Sequence, residues 1–236
     1  MSRHCLYSAL VLSLAGCTAS AAIPTPTVTP PVQVMTTASA QPFLREVTDR
    51  SLTGPAPFII TLAAQPDLLE AAAQGPAIGI TLYLPEGTGL WATPLGAEPI
   101  AVIVNPGSPV DGLTLKQLEA IYTGRDPAWA PAAREEGDDS RQFFEAAALR
   151  GLRPAATTRL VTAPEAMLQF VSSTANGLGY LPARWVDSSV RAVRVEGTLP
   201  ADPGYPLIAL VVAVARQEPA GPARDWLGNI QKTLAP

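Results

Sequence analysis

The stretch Ile100–Trp129, IAVIVNPGSPVDGLTLKQLEAIYTGRDPAW, carries the clearest signals of local structure in this chain. It opens within an apolar run, Pro99–Asn105, that predicts a buried strand and ends at Asn-Pro-Gly, a sequence that favours a turn. The residues Thr114–Gln117 have the pattern Thr-x-x-Gln, a capping box that predicts the start of a helix. Apolar residues recur on one side of that helix as far as Tyr122, and Gly124 suits the position after a helix end. The stretch therefore predicts a strand followed by a helix.

The same alternation continues on both sides of this stretch. Apolar and β-branched runs predict further strands at Val32–Thr36, Phe58–Ala64, Ala77–Leu84, Arg159–Val161, Gly177–Leu181, Val190–Val195 and Tyr205–Ala215. Helical spacing predicts helices at Gln41–Arg50, Asp67–Gln74, Ser140–Arg150 and Asp225–Leu234, and the Thr-x-x-Glu pattern of Thr162–Glu165 predicts the start of another. Strands that alternate with helices predict parallel βαβ units and an α/β fold.

The N-terminal residues predict a lipid-anchored protein. A basic start is followed by the apolar run Leu6–Leu14, which is too short to cross a bilayer as a helix. The run ends in Leu14–Cys17, Leu-Ala-Gly-Cys, which resembles the bacterial lipobox. That resemblance implies a lipoprotein signal peptide over residues 1–16 and lipidation of Cys17, on the outer face of the bacterial cytoplasmic membrane. The alternative is an ordinary secretory signal with an incidental cysteine.

The residues that follow the cysteine predict a tether. Residues 17–31 contain the lipidated Cys17 and a run of Pro, Thr and Ala without charge. Such a composition does not form a core, and it favours an extended chain of ~3.1 Å per residue that would hold a globular head away from the bilayer.

Cleavage before Cys17 would limit the chemistry of the mature chain. It removes Cys5 and His4, the only histidine of the sequence. Catalytic triads that need histidine, Cys-His pairs and His-ligated zinc sites are then excluded, and no metal site or cofactor is expected. The sequence has 16 basic and 20 acidic residues and no cluster of Lys and Arg, so we expect no binding of nucleic acid.

Several segments, in order along the chain, resemble phosphate-type substrate-binding proteins of ABC importers. In that family a strand runs into Asn-Pro and is followed by a helix that begins with Leu-Thr. An aromatic-x-Gly turn and a tryptophan come next, and Ile100–Trp129 has the same order. Further similar segments are Arg134–Gly137 with Phe143–Glu145, Ala166–Val171, Gly177–Tyr180 and Tyr205–Leu207. The resemblance covers the chain from about Val32 to its last residue.

The resemblance implies a two-lobe, type II periplasmic-binding-protein-like fold with two hinge crossings. Lobe 1 would contain residues 32–104 and 191–236, and lobe 2 residues 105–190. It further implies a non-enzymatic, extracytoplasmic solute-binding lipoprotein that holds a small oxyanion such as phosphate in the cleft and works with an ABC permease.

Two segments match the ligand loops of that family. The first supplies Thr36, Thr37, Ser39 and Ala40, whose hydroxyl and N–H groups could hold oxyanion oxygens; capping of the next helix by Ser39 is the alternative. The second supplies Arg134, Asp138, Asp139 and Ser140 as ligand-binding residues, with Arg134 as a charged donor to the anion.

The same segments also depart from the family. Asp138 and Asp139 replace a Ser-Gly pair and would repel a dianion, although either could cap the following helix instead. Few residues separate Trp129 from Arg134, so lobe 2 would lack a strand there. Where the third strand ends, the nearest acid is Glu86.

These departures leave two other readings open. One is a degenerate binding-protein-like module with a sensory or structural role and no transported ligand. The other is a hydrolase that uses the carboxylates of Asp138 and Glu136, although acid pairs in a charged loop are usually solvated.

Overall fold

A computed structural model describes residues 31–51 and 58–234. The predicted signal peptide, Cys17 and most of the tether lie outside these residues. Pro31–Pro236 form one compact unit. Within the described part of the chain, no helix has the length and hydropathy of a membrane span.

The described residues form an alternating series of strands and helices. The strands are β1 Val32–Thr36, β2 Phe58–Leu62, β3 Ile78–Thr81, β4 Trp91–Val104, β5 Gly112–Leu113, β6 Ala130–Arg134, β7 Arg159–Val161, β8 Gly177–Pro182, β9 Arg191–Ala192, β10 Arg194–Val195 and β11 Ile208–Ala215. The helices are α1 Gln41–Ser51, α2 Gln65–Gln74, α3 Leu115–Tyr122, α4 Asp139–Ala147, α5 Pro164–Ser173 and α6 Pro222–Leu234.

In the described residues, nine strands form one curled sheet in the order β2-β1-β3-β11-β4-β8-β6-β7, and β9 pairs with β4. The first part of β4 pairs with β11, and its last part, Ile100–Val104, pairs with β8. We call the strands β2, β1, β3, β11 and the first part of β4 the first half-sheet. The end of β4 with β8, β6, β7 and β9 is the second half-sheet. The predicted α/β fold is therefore confirmed.

The parallel pairs determine where the loops meet. Strands β1, β2 and β3 are parallel to one another, as are β8, β6 and β7. In each parallel group the carboxyl ends of the strands lie at one edge, where the following loops and helix starts gather. The residues that end β1, β3 and β6, namely Thr36, Thr81 and Arg134, are all buried.

Aromatic side chains fill the core of the second half-sheet. Tyr122, Phe144 and Tyr180 are fully buried and contact one another, with ring centroids 4.0–5.9 Å apart. On the first half-sheet, α2 packs through Leu68 and Ala72 against Val214 of β11. Burial of these apolar surfaces is the main favourable term in folding.

The structure confirms the capping box at Thr114 and corrects two other predictions. Thr114 accepts a hydrogen bond from the backbone of Gln117, and the Gln117 side chain accepts one from Thr114, so α3 begins as predicted. The second box does not form, because α5 is preceded by Ala163 without a side-chain cap. The strand thought to be missing before Arg134 is present: Ala130–Arg134 forms β6, between β8 and β7.

The predicted boundaries of the two lobes remain predictions. The strand pairs show that Arg191 and Ala192 lie beside the end of β4, and that β10 pairs with β5. The chain returns to the first half-sheet with Leu207, whose carbonyl accepts a hydrogen bond from the N–H of Ile100.

Candidate functional site

The two predicted ligand segments meet where the half-sheets face each other. Thr37 follows β1 in the first half-sheet, and Asp139 begins α4 after β6 in the second. The Thr37 hydroxyl donates a hydrogen bond of 2.6 Å to Oδ2 of Asp139. Residues 102 positions apart in sequence are thus brought into direct contact.

Arg134 is already paired within its own segment. Its Nε and Nη2 donate to Oδ2 of Asp138 at 3.1 and 2.9 Å, and the two side chains are 4% and 8% exposed. The other oxygen of Asp138, Oδ1, accepts from the Ser140 hydroxyl at 2.5 Å and from the N–H of Arg141 at 3.1 Å. Asp138 therefore caps α4, as one alternative from the sequence proposed, and it also neutralises Arg134.

Asp139 reaches the opposite half-sheet. Its Oδ2 accepts from the hydroxyls of Thr37 and Thr81, at 2.6 and 3.0 Å, and from the N–H of Leu82 at 2.8 Å. Its Oδ1 accepts from the N–H of Ser140 at 2.9 Å. The side chain is fully buried. Burial raises the pKa of this carboxyl, and the charge of Asp138 raises it further.

The other residues of the first segment make no contact with Asp138 or Asp139 through their hydroxyls. Thr36 donates to the carbonyl of Thr37. The predicted cap by Ser39 is wrong, because the Thr37 hydroxyl, and not that of Ser39, accepts from the N–H of Ala40 at 3.1 Å. The Ser39 hydroxyl is buried without a hydrogen-bond partner among the described residues.

An open cleft of about 540 Å³ lies at this junction. It is lined from the first half-sheet by Thr37, Ala38 and residues 62–66, and from the second by residues 134–139 and Thr162. Arg134 lines the cleft, and its Nη1 is buried without a hydrogen-bond partner among the described residues.

The charges around the cleft are mostly negative. Among the described residues, its lining includes Glu135, Glu136, Asp138 and Asp139 but a single cationic side chain, that of Arg134. Because like charges repel, these carboxylates disfavour the binding of a free dianion here.

Neither metal binding nor paired-carboxylate hydrolysis is supported by the geometry. Within residues 31–51 and 58–234, no group of three or more His, Cys, Asp or Glu side chains could hold a metal ion. The Glu136 side chain is 70% exposed and pairs with Arg153, whereas Asp138 is buried on Arg134. The two acids therefore lie in different environments and do not form an acid–base pair.

Some residues at the junction could not be identified from the sequence. Thr81 and the N–H of Leu82 contact Asp139, and Gln142 of α4 donates to Oε1 of Gln65 at 2.5 Å. Trp185 donates through Nε1 to the carbonyl of Ala38 at 3.0 Å. The position of Thr81 at a strand end was the one available signal, since such positions line the clefts of α/β folds.

No protein-family model matches this chain. No curated protein matches it in sequence.

Solved structures match most of its length. One from Clostridium perfringens, assigned as a phosphate ABC transporter substrate-binding protein with bound phosphate, is 22% identical over 84% of this chain and 92% of its own, with a TM-score of 0.75. An ABC-type phosphate transport receptor from Vibrio cholerae is 21% identical over 85% and 93% of the two chains, with a TM-score of 0.68.

A third match has a different role. It is the CcmR regulatory domain from Synechocystis PCC6803 in complex with 2-PG, 13% identical over 87% of this chain and 98% of that one, with a TM-score of 0.66. Transport receptors and a regulatory domain thus share this architecture. At these identities the likenesses show the fold alone, and that fold is the type II periplasmic-binding-protein-like fold.

Proposed function

We propose that this chain is an extracytoplasmic lipoprotein that binds a small solute between its half-sheets and works with an ABC permease. The likeness of its fold to two phosphate-binding proteins of ABC transporters supports a binding role. The lipobox-like Leu14–Cys17 supports an anchor on the outer face of a bacterial cytoplasmic membrane.

The observation that carries the proposal is the cleft that contains Arg134. The cleft is lined by both half-sheets, and Nη1 of this buried guanidinium has no hydrogen-bond partner in the part of the chain that the structure describes. A buried donor without an acceptor is costly, so a solute that presents an oxygen atom to Nη1 would gain a charge-assisted hydrogen bond.

The surrounding charges indicate the class of solute. Four carboxylates and one guanidinium line the cleft, so a zwitterionic or neutral polar solute fits these charges better than a dianion. Phosphate, which the resemblance implies, would have to compete with Asp138 for Arg134.

A thermal-shift screen of residues 18–236 tests the proposal. The panel contains phosphate, sulfate, molybdate, simple carboxylates, amino acids and betaines. A solute at ~100 times its Kd stabilises the folded chain by about 2.7 kcal/mol, which is readily detected. We expect one class to raise the melting temperature of the wild type and of a Glu70→Gln control, at an exposed acid outside the cleft, but not that of Arg134→Ala.

A second candidate is a degenerate module with a sensory or structural role. It is favoured by the hydrogen bonds of Asp138 and Asp139, which occupy donors that a solute would otherwise use. The absence of a shift with any compound, in a chain that unfolds cooperatively, would refute solute binding and leave this candidate.

A further inference from the structure

The two adjacent carboxyl groups at the start of α4 accept hydrogen bonds from different half-sheets. Asp138 accepts hydrogen bonds from donors of the second half-sheet, which are the Arg134 guanidinium, the Ser140 hydroxyl and the N–H of Arg141. Oδ2 of Asp139 accepts hydrogen bonds from donors of the first half-sheet. Together they place carboxyl oxygens against donors of both half-sheets, as an oxyanion would if it bound between two lobes.

Asp139 makes the connection across the cleft. It is covalently part of α4, yet one of its oxygens accepts three hydrogen bonds from the first half-sheet, from Thr37, Thr81 and Leu82. These three hydrogen bonds join the end of β6 to the ends of β1 and β3.

Neighbouring contacts hold the same arrangement. Gln142, one turn further along α4, donates to Gln65 at the start of α2. Trp185, beyond β8, donates to the carbonyl of Ala38. Both contacts join the two half-sheets.

We propose that Asp139 is a built-in ligand that holds the two half-sheets closed in the absence of any solute. In a binding protein that closes only around its ligand, the closed state depends on ligand contacts with both lobes. Here a tethered carboxylate supplies such contacts. This inference rests on the proposed function only in taking the cleft as the solute site, because the closure itself needs no solute.

The consequence for recognition is that binding of a solute and closure of the half-sheets are independent of each other. A solute would enter a cleft that is already closed by Asp139, and would bind beside that carboxylate without bridging the half-sheets through it. Solute binding would then produce little change in the distance between the half-sheets.

Distances between two spin labels on residues 18–236, measured by double electron–electron resonance, test the proposal. This segment contains no cysteine, so spin labels can be attached to Ala73→Cys on α2 and Gln169→Cys on α5, both at exposed positions. In solute-free buffer we expect one narrow distance distribution for the otherwise wild-type chain. Asp139→Ala should shift it to longer distances or broaden it, whereas Glu136→Gln, a control at an exposed acid of the same loop, should leave it unchanged.

A second variant keeps the test decisive if Asp139→Ala does not fold. Thr37→Ala removes one of the three donors from the opposite side and should cause a smaller shift in the same direction. A broad distance distribution in the wild type would overturn the proposal. An unchanged distance distribution in a folded Asp139→Ala chain would also overturn it. If only Thr37→Ala folds, an unchanged distribution in that variant would have the same meaning. If the half-sheets of Asp139→Ala move apart and no solute gives a response in the thermal-shift screen, the proposed function is refuted but the proposal that Asp139 is a built-in ligand is supported.

Discussion

The rings of Phe144 and Tyr180 lie parallel, with centroids 4.0 Å apart and an interplanar angle of 7°. Both side chains are fully buried, and the Tyr180 hydroxyl accepts a hydrogen bond from the backbone N–H of Arg134 at 3.3 Å. The stack joins α4 to β8, and through this hydrogen bond it supports the last residue of β6. The aromatic core therefore supports the backbone of Arg134, the arginine that lines the cleft.

Loss of this stack should reduce stability strongly. We expect Phe144→Ala to lower the free energy of unfolding by about 3–5 kcal/mol, because it removes a buried aromatic ring and leaves a cavity. Urea unfolding followed by circular dichroism measures the change. The adjacent Phe143 is only half-buried, so Phe143→Ala should cost clearly less. Equal losses for the two variants would contradict the central role of the stack.

The stability of the chain should depend on pH through Asp139. Its pKa is raised by burial and by the charge of Asp138, so the folded chain holds this proton more tightly than the unfolded chain does. The contribution of such a carboxyl to stability is greatest below its unfolded pKa of about 3.9 and is lost as pH rises through the higher folded pKa. Asp139→Asn removes this titration.

We therefore expect the free energy of unfolding of the wild type, minus that of Asp139→Asn, to increase from about pH 7 to about pH 4.5. Urea midpoints of both proteins across this range give the difference, and titrations shared by the two chains cancel. Parallel pH dependences would show that Asp139 has an ordinary pKa in the folded chain.

Removal of the Asp138 carboxylate should create an anion site. In Asp138→Ser, a serine can still cap α4, while Nε and Nη2 of Arg134 lose their acceptor. We expect sulfate to stabilise this variant but not the wild type. With a Kd of about 1 mM, 10 mM sulfate would add about 1.4 kcal/mol, which a thermal shift detects.

Glu136→Ser serves as the matched control, because it removes one acid from the same loop without freeing Arg134. A sulfate response in that control would assign the effect to the overall charge of the loop. No response in Asp138→Ser would mean that the freed guanidinium finds another partner.

The membrane anchor is predicted to depend on Cys17. In a bacterial host, the wild-type chain should fractionate with membranes and incorporate labelled fatty acid, because two acyl chains give stable anchoring. Cys17→Ser should lose the label and the anchored population. Cys5→Ser, which changes a residue inside the predicted signal peptide, should keep both. Labelling that persists in Cys17→Ser would exclude this cysteine as the lipidation site.

The sequence predicted the fold well where local signals and tertiary environment agree. Strands β1 and β7 have the predicted bounds, and the capping box at Thr114 forms as expected. Strand β6 was missed because Ala-Pro-Ala-Ala has no β-branched or aromatic residue. Its pairing with β8 and β7 overrides that weak local propensity.

The candidate site was predicted in part. Both ligand segments do meet, and Asp138 does cap α4. The pairing of Arg134 with Asp138, and of Asp139 with Thr81, could not be predicted, because each depends on side-chain direction. Asp138 and Asp139 are neighbours in sequence, yet their carboxylates point to opposite walls of the cleft. The residue types alone do not indicate that the two side chains point in different directions.

The position of β11 in the sheet has a consequence for biogenesis. This strand lies between β3 and β4 but is synthesised long after both. During synthesis from the N-terminus, the end of β4 can pair with β8, β6 and β7 as soon as β8 has emerged, and only the short β9 is added later. The first half-sheet must wait, with β3 and β4 presenting open edges that invite pairing with other chains. The last of the described strands to be synthesised is thus the one that removes this aggregation hazard.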